Sequence, residues 1–342
     1  MKKNIFFRWI CIIGLFTSTV LSQPIDKKGW KTWCVGRYLI DMPQDAETHW
    51  HDTKILSPKN NNMIWRKDLT PKTARKELDM KAKDLSKEER ITSTEIIKLP
   101  NGGWCLQTRK NIGNGSITKF YCRFVTPSPK VRVFAHDDIW SGLENEDLVK
   151  KYIIYLAKSL RARDDNDPIP TGPGFCFPNG FLATSSKDAD RPSIWMGAEE
   201  IGISFKLPQY KGVVMAFHVD AKGTQEKMYK LPSRILGFKK EKFLRRHYVT
   251  LDGRKGIEVC TTEVVKDNSR KNYEFYVDVP SQGKRLDKAN LHFILTTIGG
   301  GQLDYNPYVY PDVPKDSFGS NEEALSLYDA IKNTIRFRPG AL

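Results

Sequence analysis

The spacing of apolar and polar positions predicts many short strands and a few amphipathic helices. Residues 104–110 and 116–125 alternate on either side of a turn that is rich in Asn and Gly, which predicts a β-hairpin. A second hairpin is predicted from 257–265 and 273–279. Each hairpin is followed by one further predicted strand, at 131–135 and 291–296.

Helices are predicted where apolar residues recur every three or four positions. The clearest helix begins at Thr70-Pro71 and runs to about Arg90, because Thr suits the N-cap and Pro the first helical position. Closing helices are predicted at 145–161 and 321–335. The apolar face of the first helix consists of Ala74, Leu78, Ala82 and Leu85.

The two halves of the chain repeat one order of motifs. Cys34 opens the first half and Cys176 opens the second, 142 positions later. Cys105 matches Cys260 at an offset of 155. Since the matches keep their order and the offset only grows, we infer an internal duplication. Two more matches join Phe120-Tyr121 to Phe275-Tyr276 and Leu160–Arg163 to Ile335–Arg338.

The duplicated pattern predicts an α+β fold with two similar tandem domains, each a small antiparallel sheet with two helices. A polar segment that is rich in Asp, Pro and Gly separates the halves, as domain boundaries often do. The predicted organisation is a signal peptide at 1–22, an N-terminal α+β domain at 23–163, a linker at 164–174 and a C-terminal α+β domain at 175–342.

The first residues have the order of a secretory signal peptide. Basic residues precede an apolar run at 9–21, and small residues lead to a predicted cleavage after Ser22. Retention as a membrane anchor is the alternative, but a spanning helix needs ~20 apolar residues. We therefore expect an exported, soluble mature chain that begins near Gln23.

Composition and charge narrow the classes of function. Hydrophobic residues at 39% and charged residues at 28% are typical of a globular chain and exclude a disordered one. The net charge of +15 would suit a nucleic-acid-binding protein, but export argues against that partner. Outside the cytoplasm, such a surface suits anionic lipid, an acidic glycan or an acidic protein, or serves solubility alone.

The repeat also predicts a disulfide pairing. An exported chain meets an oxidising compartment, where disulfides form. Because Cys34 and Cys105 match Cys176 and Cys260, the repeat predicts the bridges Cys34–Cys105 and Cys176–Cys260, with Cys122 left as a thiol. A bridge from Cys105 to Cys122 remains open, since these residues are symmetric about the hairpin turn.

The sequence lacks the motifs of common catalytic and cofactor sites. No nucleophile elbow, zinc-binding His-Glu-x-x-His helix or phosphate-binding glycine loop occurs. The most metal-like stretch, His-Trp-His-Asp at 49–52, fits an exposed loop better than a metal site. We therefore expect no enzymatic activity, no bound metal and no cofactor.

Two stretches are candidates for binding a partner. The second half carries an insertion at 299–318 in which tyrosines lie among prolines, a composition that suits a recognition loop as well as rings packed on their own sheet. A basic stretch at 239–247 includes Arg245, Arg246 and His247 besides three lysines, and a solvated charged face is the alternative interpretation. The candidate partner-binding residues are Tyr305, Tyr308, Tyr310, Lys239, Lys240 and Lys242.

These motifs together resemble a known family. The sequence CVGRYLIDMP from Cys34, the sequence GPGFC that ends at Cys176, and the duplicated layout are similar to the two-domain periplasmic immunity proteins paired with the fourth class of type VI secretion lipase effectors. The resemblance covers nearly all of the mature chain.

The resemblance implies a non-catalytic periplasmic protein that binds and inhibits a secreted phospholipase effector. It further implies that two domains clamp the lid region of the lipase. No nucleic acid and no stable membrane insertion after signal cleavage are expected. A periplasmic lipid- or glycan-binding protein without catalytic activity is the alternative function, and a degenerate hydrolase is a third.

Overall fold

Strands make up about half of the part of the chain that the structure describes. The computed structural model describes residues 25–55, 63–113, 115–142, 145–184, 199–220, 242–264, 271–283, 285–297 and 317–342. Strands account for 51% of the structure and helices for 20%, with three helices and four sheets in these ranges. The predicted α+β fold with two helices in each domain is therefore wrong. The sheets contain strands that the sequence analysis did not predict, at 47–55, 91–98, 199–206, 213–220 and 242–251. Some of these pair with segments that are distant in the chain, which local periodicity does not report.

The helices and strands are bounded as follows. The helices are α1 Pro71–Leu85, α2 Glu146–Ser159 and α3 Asn321–Lys332. The strands of the first half are β1 Lys31–Val35, β2 Tyr38–Met42, β3 Glu47–Ile55, β4 Met63–Trp65, β5 Ile91–Lys98, β6 Trp104–Ile112, β7 Gly115–Val125, β8 Val133–Gly142 and β9 Leu160–Ala162. Those of the second half are β10 Gly174–Phe177, β11 Gly180–Ala183, β12 Glu199–Lys206, β13 Val213–Asp220, β14 Lys242–Leu251, β15 Arg254–Val264, β16 Lys271–Val279, β17 Asn290–Thr297 and β18 Arg336–Phe337.

A five-stranded antiparallel sheet, in the order β4-β8-β7-β6-β5, lies between α1 and α2. The predicted helix at 70–90 is present, and Thr70 caps it by accepting a hydrogen bond from the Thr73 amide at 3.2 Å. On one face of the sheet, Leu78 of α1 packs against Leu106 and Tyr121. Gln107, the residue after Leu106, points to the opposite face, because successive strand residues point to opposite sides. There its side chain donates a hydrogen bond to Glu146, the first residue of α2.

A seven-stranded antiparallel sheet, in the order β14-β15-β16-β17-β13-β12-β3, forms the second large layer. Helix α3 packs on it through Tyr328, whose ring stacks on Phe293 at 5.5 Å and meets Phe275 edge-on at 5.5 Å. The strand β3 comes from the first half of the chain, yet it extends this sheet by pairing with β12.

The duplication is visible in the order of the strands. In the first half, β5, β6, β7 and β8 are neighbours and α2 follows them; in the second half, β14, β15, β16 and β17 are neighbours and α3 follows them. Each half also begins with a small hairpin, β1-β2 or β10-β11. Within the described residues, the second half has no counterpart of α1.

The closing strands of the two halves are exchanged. The strand β9, which follows α2, pairs with β11 of the second half, and β18, which follows α3, pairs with β2 of the first half. Equivalent backbone bonds fix both exchanges: the Arg163 amide donates to the Asn179 carbonyl at 3.1 Å, and the Arg338 amide donates to the Arg37 carbonyl at 2.8 Å. The halves are therefore interlocked.

The predicted linker at 164–174 is held in place by a buried arginine. The Arg338 side chain is 1% exposed and donates hydrogen bonds to the carbonyls of Pro170 at 2.6 Å, Gly172 at 2.8 Å and Gly174 at 2.6 Å. The backbone at Gly340 lies very close to the 164–174 segment. A Cβ at Gly340, where φ is +71°, would lie only 2.5 Å from the Thr171 carbonyl oxygen.

The disulfides differ from the predicted pairing. Cys34 bonds to Cys176, with 5.7 Å between their Cα atoms, and Cys105 bonds to Cys122, its direct partner on the neighbouring strand. Cys260 is the buried thiol. The predicted bridges Cys34–Cys105 and Cys176–Cys260 are therefore wrong. The physical reason is the interlocking of the halves: the equivalent hairpins meet, so the equivalent cysteines lie against each other.

Candidate partner-binding surface

One end of the seven-stranded sheet carries the attachment points of both predicted binding segments. Thr297, the last residue of β17, is the last described residue before the tyrosine-rich segment, and Lys242, within the basic stretch, is the first residue of β14. Because neighbouring strands are antiparallel, both residues lie at the same end of the sheet. Three strand spacings separate them, about 14 Å.

The chain returns to the same end of the sheet after the tyrosine-rich segment. Phe318 is buried, and its ring lies 5.8 Å from that of Tyr210 and 5.5 Å from that of Tyr273. The Tyr273 hydroxyl also donates a hydrogen bond to Asn321 at 3.1 Å, at the start of α3. Both ends of the insertion are thus fixed to the sheet.

The predicted partner-binding residues fall mainly outside the described part of the chain. Lys242 is described, and it is an exposed residue at the start of β14. Tyr305, Tyr308, Tyr310, Lys239 and Lys240 lie outside the described residues.

Lys242 belongs to a long hairpin that the sequence analysis missed. The strands β14 and β15 are joined by Asp252 and Gly253, whose φ angles of +51° and +68° are those of a type I′ turn. The pairing runs without a shift from Leu251 opposite Arg254 to Arg245 opposite Cys260. The Asp-Gly pair at the turn was the available signal, and the density of basic residues before it concealed the hairpin.

Exposed aromatic rings and cations alternate along β14. Phe243 is 36% exposed and Tyr248 is 48% exposed. The Arg246 guanidinium lies 5.5 Å from the centre of the Phe243 ring, and the Lys255 ammonium lies 4.5 Å from that of Tyr248. The strand therefore presents apolar area that is flanked by positive charge.

A cluster of charged side chains fixes β14 and β15 to α3. The carboxylate of Glu258 is fully buried and pairs with Lys332, whose ammonium also lies 2.9 Å from Asp329. From β14, the Arg245 guanidinium bonds to Glu258 at 3.0 Å and to both oxygens of Asp329 at 2.7 and 2.8 Å. Each buried charge thus has opposite charges within bonding distance, as burial requires.

The same cluster sets the protonation of its neighbours. Burial by itself would raise the pKa of Asp329, but hydrogen bonds from Arg245 and Lys332 outweigh it and lower that pKa. Burial raises the pKa of the Cys260 thiol, and the nearby Glu258 carboxylate raises it further. A thiol held protonated is a poor nucleophile.

Neither a metal site nor a membrane span is found in the described ranges. In them, no three or more His, Cys, Asp or Glu side chains are grouped so that they could hold a metal ion. The helices described there are too short or too polar to cross a membrane. His49 and His51, the residues of the metal-like stretch, lie on the strand β3.

Models of a known family match both halves of the chain. The C-terminal domain of Tle cognate immunity protein 4 matches residues 168–340, and the N-terminal domain of the same family matches residues 31–119. Comparison with curated proteins gives no match.

Solved structures share the fold over nearly the whole chain. The apo immunity protein TplEi of the T6SS from Pseudomonas aeruginosa has 21% identity and a TM-score of 0.70, covering 92% of this chain and 99% of that one. A chain of the Tle4-Tli4 complex has 21% identity, a TM-score of 0.69 and the same coverage. TplEi with an "L" peptide has 22% identity and a TM-score of 0.66, covering 92% of this chain and all of that one. With both domain models matched in order, the chain belongs to the Tle cognate immunity protein 4 family.

Proposed function

We propose that this immunity protein acts in the periplasm, where it binds and inhibits a type VI secretion phospholipase effector without catalysing a reaction itself. The observation that carries the proposal is the match of both family domains, in order, over residues 31–119 and 168–340. We also propose a division into domains at 23–163 and 175–342, joined by 164–174; the order of the two family models supports it.

The proposed mechanism is a clamp on the lid region of the lipase. A ligand shifts a conformational equilibrium by its differential affinity, so an inhibitor needs only to bind the closed lid more tightly than the open one. The exchanged strands and the Cys34–Cys176 bridge support this mechanism, because they connect the two halves rigidly. A rigid grip loses little entropy on binding and favours high affinity.

The proposed contact region is the end of the seven-stranded sheet described above. Its support is the shared location of Thr297 and Lys242, from which the two candidate segments extend. Tyrosines are frequent anchors of interfaces, and lysines at an interface steer an acidic partner. We therefore propose that Tyr305, Tyr308, Tyr310, Lys239, Lys240 and Lys242 contact the lipase.

Protection of living cells tests the proposed function. A host that exports the cognate lipase to its periplasm should lyse, and co-production of the full chain should restore growth. The matched control lacks residues 1–22, so that it accumulates in the cytoplasm and gives no protection. Lysis despite the full chain would contradict the inhibitory function, and protection by the control would contradict the periplasmic location.

A further inference from the structure

The two halves of the chain meet at a junction between their opening hairpins, β1-β2 and β10-β11. Gly36 of the first half and Cys176 of the second exchange two backbone hydrogen bonds there, both of 2.8 Å. The disulfide between Cys34 and Cys176 crosses the same junction. The other disulfide that the structure describes, Cys105–Cys122, lies within one hairpin of the first half. Of these two bonds, only Cys34–Cys176 therefore joins the halves.

The exchanged strands at the junction make short pairings. The strand β9 pairs with β11 over three residues, and β18 pairs with β2 over two. Strands in globular proteins usually have about five or six residues, and short pairings open locally at a low free energy. In contrast, β3 pairs with β12 over eight positions of the seven-stranded sheet. That long pairing keeps the halves in contact even when the junction opens.

Buried positive charge opposes the closing of the junction. The Gly174 carbonyl accepts hydrogen bonds from two guanidinium groups, from Arg338 at 2.6 Å and from Arg37 at 3.4 Å. Within the described ranges, the acceptors of the buried Arg338 side chain are all backbone carbonyls. Burial, together with the charges of Arg37 and Arg163, lowers the pKa of Arg338 to about 10. A covalent bond across the junction offsets this repulsion between like charges.

The bond between the halves constrains the chain more than the other disulfide does. Cys34 and Cys176 are 142 positions apart in the sequence, whereas Cys105 and Cys122 are 17 apart. In the chain-entropy account, a cross-link restricts the unfolded chain, and its effect on the folding equilibrium grows as about the 3/2 power of the loop length. The long loop therefore favours the folded state roughly 20-fold more than the short loop does.

We propose that the Cys34–Cys176 bond is a redox switch that locks the junction. When the bond forms, the two thiols give two protons and two electrons to a disulfide oxidant, which becomes a dithiol. The oxidised chain keeps β9 and β18 paired with the opposite halves. In the reduced chain these strands detach while the large sheets persist, and the lipase is bound less tightly. This last consequence rests on the proposed function, and it confines full inhibition to an oxidising compartment.

Residue-resolved amide exchange of the full chain, oxidised and reduced, tests the switch. The Arg163 and Arg338 amides donate to carbonyls of the opposite half, at 3.1 and 2.8 Å. After reduction they should exchange about tenfold faster, because an open junction leaves them without these bonds. The amides of Phe217 and Phe293, on central strands of the seven-stranded sheet, should stay slow. Unchanged protection of Arg163 and Arg338 after complete reduction would overturn the proposal, and so would a loss of protection throughout the chain.

Paired serine substitutions separate the two disulfides. The variant Cys34→Ser with Cys176→Ser should lose the junction protection without any reductant. It should bind the purified cognate lipase about tenfold more weakly if its junction is closed in about one chain in ten. The matched variant Cys105→Ser with Cys122→Ser should keep both the protection and the affinity. If the two variants behave alike, the switch is not at the junction. If the first variant does not fold, the amide exchange of the unmodified chain decides.

The outcomes also separate the switch from the proposed function. A lipase that does not bind the oxidised chain contradicts the proposed function, and the amide exchange still decides whether the junction opens on reduction. A reduced chain with an open junction that binds the lipase as tightly as the oxidised chain would show that the switch does not control inhibition.

Discussion

Residues 25–165 and 168–342, produced separately, are expected not to fold. Each half supplies a strand that completes the other: β9 pairs with β11, β18 pairs with β2, and β3 extends the sheet at β12. Separation would expose the core around Tyr38 and Phe205, both fully buried in the intact chain. The lost burial costs on the order of 2 kcal/mol for each large side chain, and several such losses exceed the stability of a typical domain.

The matched control is the intact chain with a specific protease site in the 164–174 segment. After cleavage, the two pieces should stay together and melt in a single transition near that of the uncut chain. On a gel they should migrate as one species without reductant and as two with it, because Cys34 and Cys176 join them. If each half alone showed the melting transition of the intact chain, the interlocked description would be incorrect.

The replacement Lys332→Met is expected to destabilise the full chain by about 3 kcal/mol. The Glu258 carboxylate is fully buried, and removing one partner of a buried ion pair leaves a charge without adequate compensation. The double variant Glu258→Leu with Lys332→Met should recover most of that free energy, since an apolar pair of similar volume is often tolerated. Urea unfolding measures all of these differences.

An exposed ion pair provides the control for this cycle. Lys87 pairs with Asp84 on the surface, where their side chains are 67% and 74% exposed. Lys87→Met should change the free energy of unfolding by less than about 1 kcal/mol. A loss of the same small size for Lys332→Met would show that the charge cluster beneath β14 is not what fixes that strand.

Local structure was predicted well where one segment carries all the information. The hairpin at 104–125 forms as the turn residues indicate, and α1 begins at Pro71 behind its Thr70 cap. The closing helices also form, as α2 and α3. In these elements, the turn, the cap and the apolar period are encoded within about 20 residues, and the sequence shows them directly.

The pairing of strands that are distant in the sequence could not be predicted in the same way. Nothing near β3 specifies that it joins a sheet of the second half, and the exchange of β9 and β18 depends on the meeting of two equivalent hairpins. The cysteine pairing that the repeat predicted is wrong for that reason. The repeat was correct about which cysteines are equivalent, but it said nothing about which of them meet in space.

The sequence analysis named residues for the proposed contact region but did not predict the strand that carries one of them. Lys242, a predicted contact residue, lies at the start of β14, and the exposed rings of Phe243 and Tyr248 on that strand were not identified because the segment is so rich in charge. The alternation in 242–251 was weak, since an edge strand with two partly exposed faces has no strict apolar side.

The most direct test of the account is a titration of the purified lipase with the full chain, followed by phospholipid hydrolysis on micelles and by hydrolysis of a short, monomeric ester. A clamp on a closed lid predicts that micellar hydrolysis falls to background at a ratio of one to one. Some hydrolysis of the monomeric ester should persist, because that substrate does not require the lid to open fully. A stable complex that hydrolysed micellar phospholipid at the rate of the free lipase would contradict the account.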